Sequence, residues 1–209
     1  MCGGDVSKRH HQLNYLVYKQ CQSAGVRPEL EKSKILNGSR SQSALGRRRP
    51  ADTFLHSAAD VQTASKRQWL NVALDVGVIN AQGSTHVSTA ASGMLKAAEA
   101  YSNRKRTHNN TDRLCRDVGI DYQPLVWESF GGIAQEGRDT LKSINRLVAN
   151  NTNTPTSEVA RRFWQRVSVE MQKMNHRALA ERISVGKDLL GESASSRFLR
   201  TRPDECMES

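Results

Sequence analysis

Asn71-Val72-Ala73-Leu74-Asp75-Val76-Gly77-Val78-Ile79 is the stretch that decides how the rest of the chain is read. Val72, Leu74, Val76 and Val78 fall on one side of a period-2 alternation, and Ala73, Asp75 and Gly77 fall on the other. That is the pattern of a strand with one strongly apolar face, and it presents Asp75 on the less apolar one. Downstream, Ala91, Met94, Leu95, Ala98 and Tyr101 predict the apolar stripe of a helix that starts near Ser88 and carries Arg104 and Lys105 toward its far end. A helical turn over Asp112 to Val118 follows, closed by Gly119, and Tyr122 to Glu128 reads as the next strand, stopped by Gly131-Gly132. Strand, helix, strand in that order predict a βαβ unit and an α/β fold.

Upstream, Ala51 to His56 predicts another strand, joined to the first by the polar segment Ser57 to Gln68, an extended or inserted turn. A short strand is expected near Glu29 to Leu36. The N-terminal helix is read over residues 1–25, most clearly from Asp5 to Ala24, with Leu13, Leu16, Val17 and Cys21 on one face and Gly25 ending it. Residues 37–49 have no apolar period and read as a mobile loop closed by Arg47, Arg48 and Arg49. That basic trio fits a nuclear address, a phosphate grip or a solvated loop. Leu141, Ile144, Leu147 and Val148 predict a further helix. A long C-terminal helix is expected over 154–185, capped by Thr154 with Pro155 at its first position, and its stripe of Val159, Phe163, Val167, Met171 and Met174 reads as core. Residues 190–209 lose all period and are expected to be disordered, leaving one domain over 1–185.

The 209 residues carry a formal net charge of +10, which suits a polyanionic partner, DNA or RNA, through phosphate contacts and counterion release. No apolar run is long enough to cross a bilayer, so no membrane role is expected. Cys2, Cys21, Cys115 and Cys206 share no short spacing, and the N-terminus has no signal-peptide character. The chain is therefore expected in the nucleus or cytoplasm, without disulfides and not secreted. The sequons at Asn37, Asn109 and Asn150 are read as chance. Nothing in the residues speaks to oligomeric state.

Two acids on neighbouring strands, Asp52 after Pro50-Ala51 and Asp75 in Leu74-Asp75-Val76, are hard oxygen ligands of the kind a divalent cation takes. By spacing alone such a pair is common. The order of several short motifs says more: Cys2-Gly3-Gly4-Asp5-Val6, Arg9-His10-His11, Arg49-Pro50-Ala51-Asp52, Ala73-Leu74-Asp75-Val76, Ala97-Ala98-Glu99, Cys115, Gly119-Ile120-Asp121-Tyr122 with Pro124-Leu125-Val126, and Glu128-Ser129-Phe130-Gly131-Gly132. Arg166-Val167-Ser168, Asn175 and Ala178-Leu179 continue the series to about residue 180. Together they resemble the region after the polymerase domain in non-LTR-type retrotransposon reverse-transcriptase-like proteins, a region similar to the PD-(D/E)xK, or restriction-endonuclease-like, fold.

The resemblance implies a small mixed central sheet flanked by helices with a C-terminal helical extension. It also implies a metal-dependent endonuclease that nicks target DNA with magnesium or manganese, or a decayed nucleic-acid-binding remnant of the same fold. Asp52 and Asp75 then take the two acidic metal-ligand roles. The motif lysine is replaced by Gly77, so a basic residue from the following helix, Arg104 or Lys105, is expected to supply it. Glu31 and Glu128 are read either as assisting carboxylates, Glu31 as a further metal ligand, or as surface ion-pair partners. Cys2 resembles the last ligand of a zinc knuckle whose other ligands lie upstream of Met1 in relatives, so no structural zinc is expected within these residues. The polymerase domain of such relatives also lies outside them, and His10 and His11 read as a helix start near phosphate or solvent.

Overall fold

A computed structural model describes residues 3–36, 50–56, 58–63 and 70–190. Its elements are α1 (Gly3–Ser23), β1 (Arg27–Leu30), β2 (Thr53–His56), β3 (Asn71–Ile79), α2 (Val87–Ala91), α3 (Lys96–Thr107), α4 (Thr111–Asp117), β4 (Ile120–Glu128), α5 (Gln135–Thr152) and α6 (Thr156–Leu190). The fold is mixed α/β: four strands in the order β1-β2-β3-β4 form one small sheet flanked by helices. β1 and β2 run antiparallel to their neighbours, and β3 and β4 run parallel along their whole length. Arg47, Arg48, Arg49, Cys2, and the expected tail beyond Leu190 lie outside the described residues.

The parallel pair is covered on both faces, as parallel strands require. Val72, Leu74 and Val76 join Leu125 and Trp127 in the larger core, under Leu13 and Val17 of α1 and Leu141 and Ile144 of α5. On the other face Ala73 and Tyr122 pack with Cys115 of α4, and Ile79 and Val126 pack with Ala97 and Ala98 of α3. α6 lies against α1 and α5, and its Phe163, Val167, Met171 and Met174 are buried as the stripe predicts.

Four expectations need correction. The strand read at Glu29 to Leu36 is β1, ending at Leu30, because Glu31 (φ 49°) and Lys34 (φ 62°) turn the chain; Leu36 is instead buried with Ala73, Cys115 and Tyr122. Pro28 fits β1 because β1 is the sheet edge, where a missing N–H costs no ladder bond. The helix read from Ser88 is broken into α2 and α3 at Gly93 and Leu95 (φ 63°), leaving Met94 89% exposed instead of in the stripe. Leu95 turns to pack on Gly132, where an added Cβ would stand 2.5 Å from its Cδ2, so this break is set by a contact distant in sequence. The Thr154 hydroxyl bonds the Thr152 carbonyl and caps nothing, and the Pro155 carbonyl accepts the first helical N–H groups of α6, from Glu158 and Val159. α6 itself runs on to Leu190, past the expected end at 185.

Candidate active site

Asp75 stands at the centre of β3, opposite Pro124 of β4, on the face that α3 covers. Asp52 sits just before β2 and is tied to β3 through its backbone: its N–H donates to the Leu74 carbonyl at 3.0 Å. Its own carbonyl accepts from the Glu31 N–H at 2.9 Å and from Asn14 Nδ2 at 3.2 Å. The Asp52 side chain then reaches along β3, where Oδ2 accepts the Val76 N–H at 2.7 Å. The β2–β3 pairing thus brings Asp52 beside Asp75.

Each carboxylate has a cationic or acidic-hydrogen partner. Lys105 Nζ, from the last turn of α3, donates to Asp75 Oδ1 at 2.6 Å and to the Val76 carbonyl at 3.2 Å. The Tyr122 hydroxyl donates to Asp75 Oδ2, and His10 Nε2 meets Asp52 Oδ2 at 2.9 Å. Lys105 enters where Gly77 leaves room: a Cβ added at Gly77 would lie 2.9 Å from Lys105 Cε. The missing side chain in the strand and the long side chain from the helix are thus one packing solution.

The pair is electrostatically divided. Burial works against ionisation of Asp52, but the hydrogen bond and charge of His10, with the Val76 N–H, outweigh it and hold that carboxyl below its usual range. Burial pushes Asp75 up; the Lys105 charge opposes this and the nearby Asp52 charge reinforces it. His10 is raised first by its bond to Asp52, against the effect of its own burial. Tyr122 is pushed far up by burial and by the Asp75 charge, so its hydroxyl remains a donor. Two buried carboxyls that resist carrying two negative charges form a site that a cation stabilises.

A cavity of about 390 Å³ opens onto Asp75 and is lined also by Tyr101, Arg104, Lys105, His108 and Tyr122. Of the two basic candidates, Lys105 touches Asp75, while Arg104 is exposed on the cavity wall with no ion-pair partner among the described residues. Glu31 turns its carboxylate toward His11, at 3.7 Å, and no group of three or more His, Cys, Asp or Glu side chains able to hold a metal occurs among the described residues. Glu31 therefore does not complete an acidic trio with Asp52 and Asp75. Glu128 ends β4, four residues or roughly 13 Å along the strand from Pro124, and stands away from the pair.

The sequence reading missed His10, Tyr122 and Asn14. His10, near the start of α1, is bonded to Asp52. Asn14 is 3% exposed and accepts from the Thr53 hydroxyl at 2.6 Å while donating to Asp52, so it fixes the start of β2. Tyr122 shares the face of Asp75, a fact readable only once the β3–β4 register is known. Among the described residues no helix is long and apolar enough to cross a membrane. Against known proteins, no family model and no curated protein matches this chain.

Proposed function

We propose that the chain is a metal-dependent endonuclease domain of the restriction-endonuclease-like kind, acting on DNA phosphodiester bonds. The observation that carries this reading is Lys105 in the space above Gly77, with its ammonium on both Asp75 and the Val76 carbonyl. A lysine beside the second acid is what the motif resemblance asks for, supplied here from α3. The same spot is where positive charge is already drawn, between a carboxylate and a carbonyl oxygen, so its donors are the hard oxygens that magnesium or manganese prefers.

Asp52, Asp75 and the Val76 carbonyl would hold the ion. When bound, such an ion polarises the phosphoryl oxygen and lowers the pKa of a water. The residues of the chain do the rest. Lys105 would donate to a non-bridging oxygen of the scissile phosphate and stabilise the charge that grows there. The attacking water gives a proton to solvent as its oxygen bonds phosphorus, the bond to the leaving sugar oxygen breaks, and that oxygen takes a proton from solvent. Arg104, on the cavity wall, faces the incoming backbone as a phosphate contact.

Nicking of supercoiled plasmid tests this. In magnesium or manganese the parent should convert supercoiled to open-circular DNA, and Asp52→Ala, Asp75→Ala and Lys105→Ala should each lower the rate by on the order of a hundredfold or more. Equal cutting by the parent and both aspartate variants would sink the proposal. One observation favours a second reading, a binding remnant of the same fold: both oxygens of Asp75 are engaged, and no third acid joins the pair among the described residues. Salt-dependent DNA binding without any metal-dependent nicking is the result that reading requires.

A further inference from the structure

Away from the acidic pair, α1 and α6 lie side by side and leave two hollows along their seam, of about 560 and 500 Å³. Glu170 borders both, so they are neighbouring parts of one furrow. Arg9 lines the first hollow. It is only 8% exposed, and its Nε has no hydrogen-bond partner among the described residues. A buried guanidinium N–H is costly to leave without an acceptor, and the acceptor it fits best is a multi-oxygen anion.

The charges around it point the same way. Lys8 and Arg177 line this hollow with Arg9. The two carboxylates that border the furrow already have partners: Glu181 pairs with Lys8 at 3.1 Å and Glu170 with Lys173 at 2.9 Å. Arg9 and Arg177 have no carboxylate partner among the described residues, so the furrow keeps an uncompensated positive charge.

The second hollow adds an aromatic surface. Tyr15 is 47% exposed and lines it with Lys19, Arg166 and Val169. The Tyr15 and Tyr18 rings are nearly parallel, 23° apart with centroids at 6.4 Å, and Lys19 Nζ stands 5.5 and 5.9 Å from the two centroids. An exposed ring flanked by cations suits an unstacked base next to its phosphate, whereas a duplex keeps its base faces hidden. Arg9 and Tyr15 are about 9 Å apart along the axis of α1.

We propose that the α1–α6 furrow binds a single nucleic-acid strand, with Arg9 and Arg177 holding a phosphate and Tyr15 stacking a base. This surface needs neither a cation nor the acidic pair, so it stands or falls separately from cleavage.

Fluorescence anisotropy in EDTA tests it on the full chain, with labelled oligothymidylate and oligouridylate of about 20 nucleotides and a duplex of equal length. At least one single strand should bind more tightly than the duplex. Tyr15→Ala should weaken single-strand binding about tenfold and change duplex binding less than about twofold. Arg177→Ala should weaken it as well and flatten the dependence of log affinity on log salt by about 0.7. Both substitutions are at exposed positions, so they read binding without the folding cost that replacing buried Arg9 carries. The proposal is overturned by no single-strand binding at low salt, by variants that bind as the parent does, or by equal weakening of duplex binding in Tyr15→Ala.

Discussion

Gly77 is the residue where packing and proposed chemistry meet. Glycine in a strand interior ordinarily weakens the strand by roughly 0.5–1 kcal/mol relative to alanine. Here the vacant Cβ position is filled by the stem of Lys105, whose ammonium needs that path to reach Asp75. Gly77→Ala sets a Cβ against Lys105 Cε at 2.9 Å, while Tyr101 and Val126 stand at an ordinary 3.5 Å. Because the near neighbour is the far end of a flexible side chain, the lysine is expected to swing aside and leave the core intact. Stability in urea should then change by less than about 1 kcal/mol, while magnesium-dependent nicking falls by on the order of tenfold to a hundredfold as Lys105 loses its position. A variant that nicks as fast as the parent would show that the placement of Lys105 above Gly77 does not matter. The absence of a lysine two residues after Asp75 was legible in the sequence. Which basic residue replaces it was not, because Arg104 and Lys105 are adjacent and only the rotation of α3 against β3 separates them.

Among the elements, α3 bears on the site through a second cation as well. Arg106, one residue beyond Lys105, donates to Asp112 at 3.0 Å, to the Tyr122 carbonyl at 2.8 Å and to Glu136 at 2.7 Å. One guanidinium thus fastens the end of α3 to α4, to β4 and to the first turn of α5. Arg106→Ala leaves the partly buried Glu136 without its cation and Asp112 with Arg116 alone, and is expected to cost about 3 kcal/mol in urea unfolding, well above the usual effect of a surface ion pair. A loss below about 1 kcal/mol would mean that α3 is held by its alanine contacts and by Lys105 without need of Arg106. The elements themselves were unevenly readable. β3 lies where its period-2 pattern places it, from Asn71 to Ile79, since alternation over nine residues is a local signal. The break at Leu95 was hidden, because Ala91, Met94, Leu95, Ala98 and Tyr101 satisfy helical spacing and the contact that overrides it comes from Gly132. The partners of the acids were hidden for a similar reason: His10 and Asp52 are 42 residues apart, Tyr122 and Asp75 are 47 apart, and neither meeting is implied by local period.

Across the whole molecule, folding brings together charges that the unfolded chain keeps apart, so stability is linked to pH. The folded His10 takes its proton more tightly than an ordinary histidine near 6.5, chiefly because it bonds Asp52. Its contribution is therefore fully present below about pH 6.5 and is lost as pH rises through the raised folded value. Asp52 has the opposite sign: its folded carboxyl lies below the ordinary 3.8, with burial opposing and His10 favouring the charge, so its contribution is present above that value and is lost in acid. Asp75 is raised, mainly by burial, so the folded state gives up some stability as pH climbs past the ordinary carboxyl range. Together these place the most stable range of the metal-free protein on the acid side of neutrality, with a decline above it. Urea midpoints measured in EDTA from about pH 5 to about pH 9 should fall across the upper half of that range. His10→Gln can still hydrogen-bond but cannot titrate, and should flatten that fall. Because the decline above neutrality is assigned to His10, with the Asp75 loss falling earlier as pH leaves the carboxyl range, parallel pH profiles for the parent and His10→Gln would show that the charge on His10 is not what links this fold to pH.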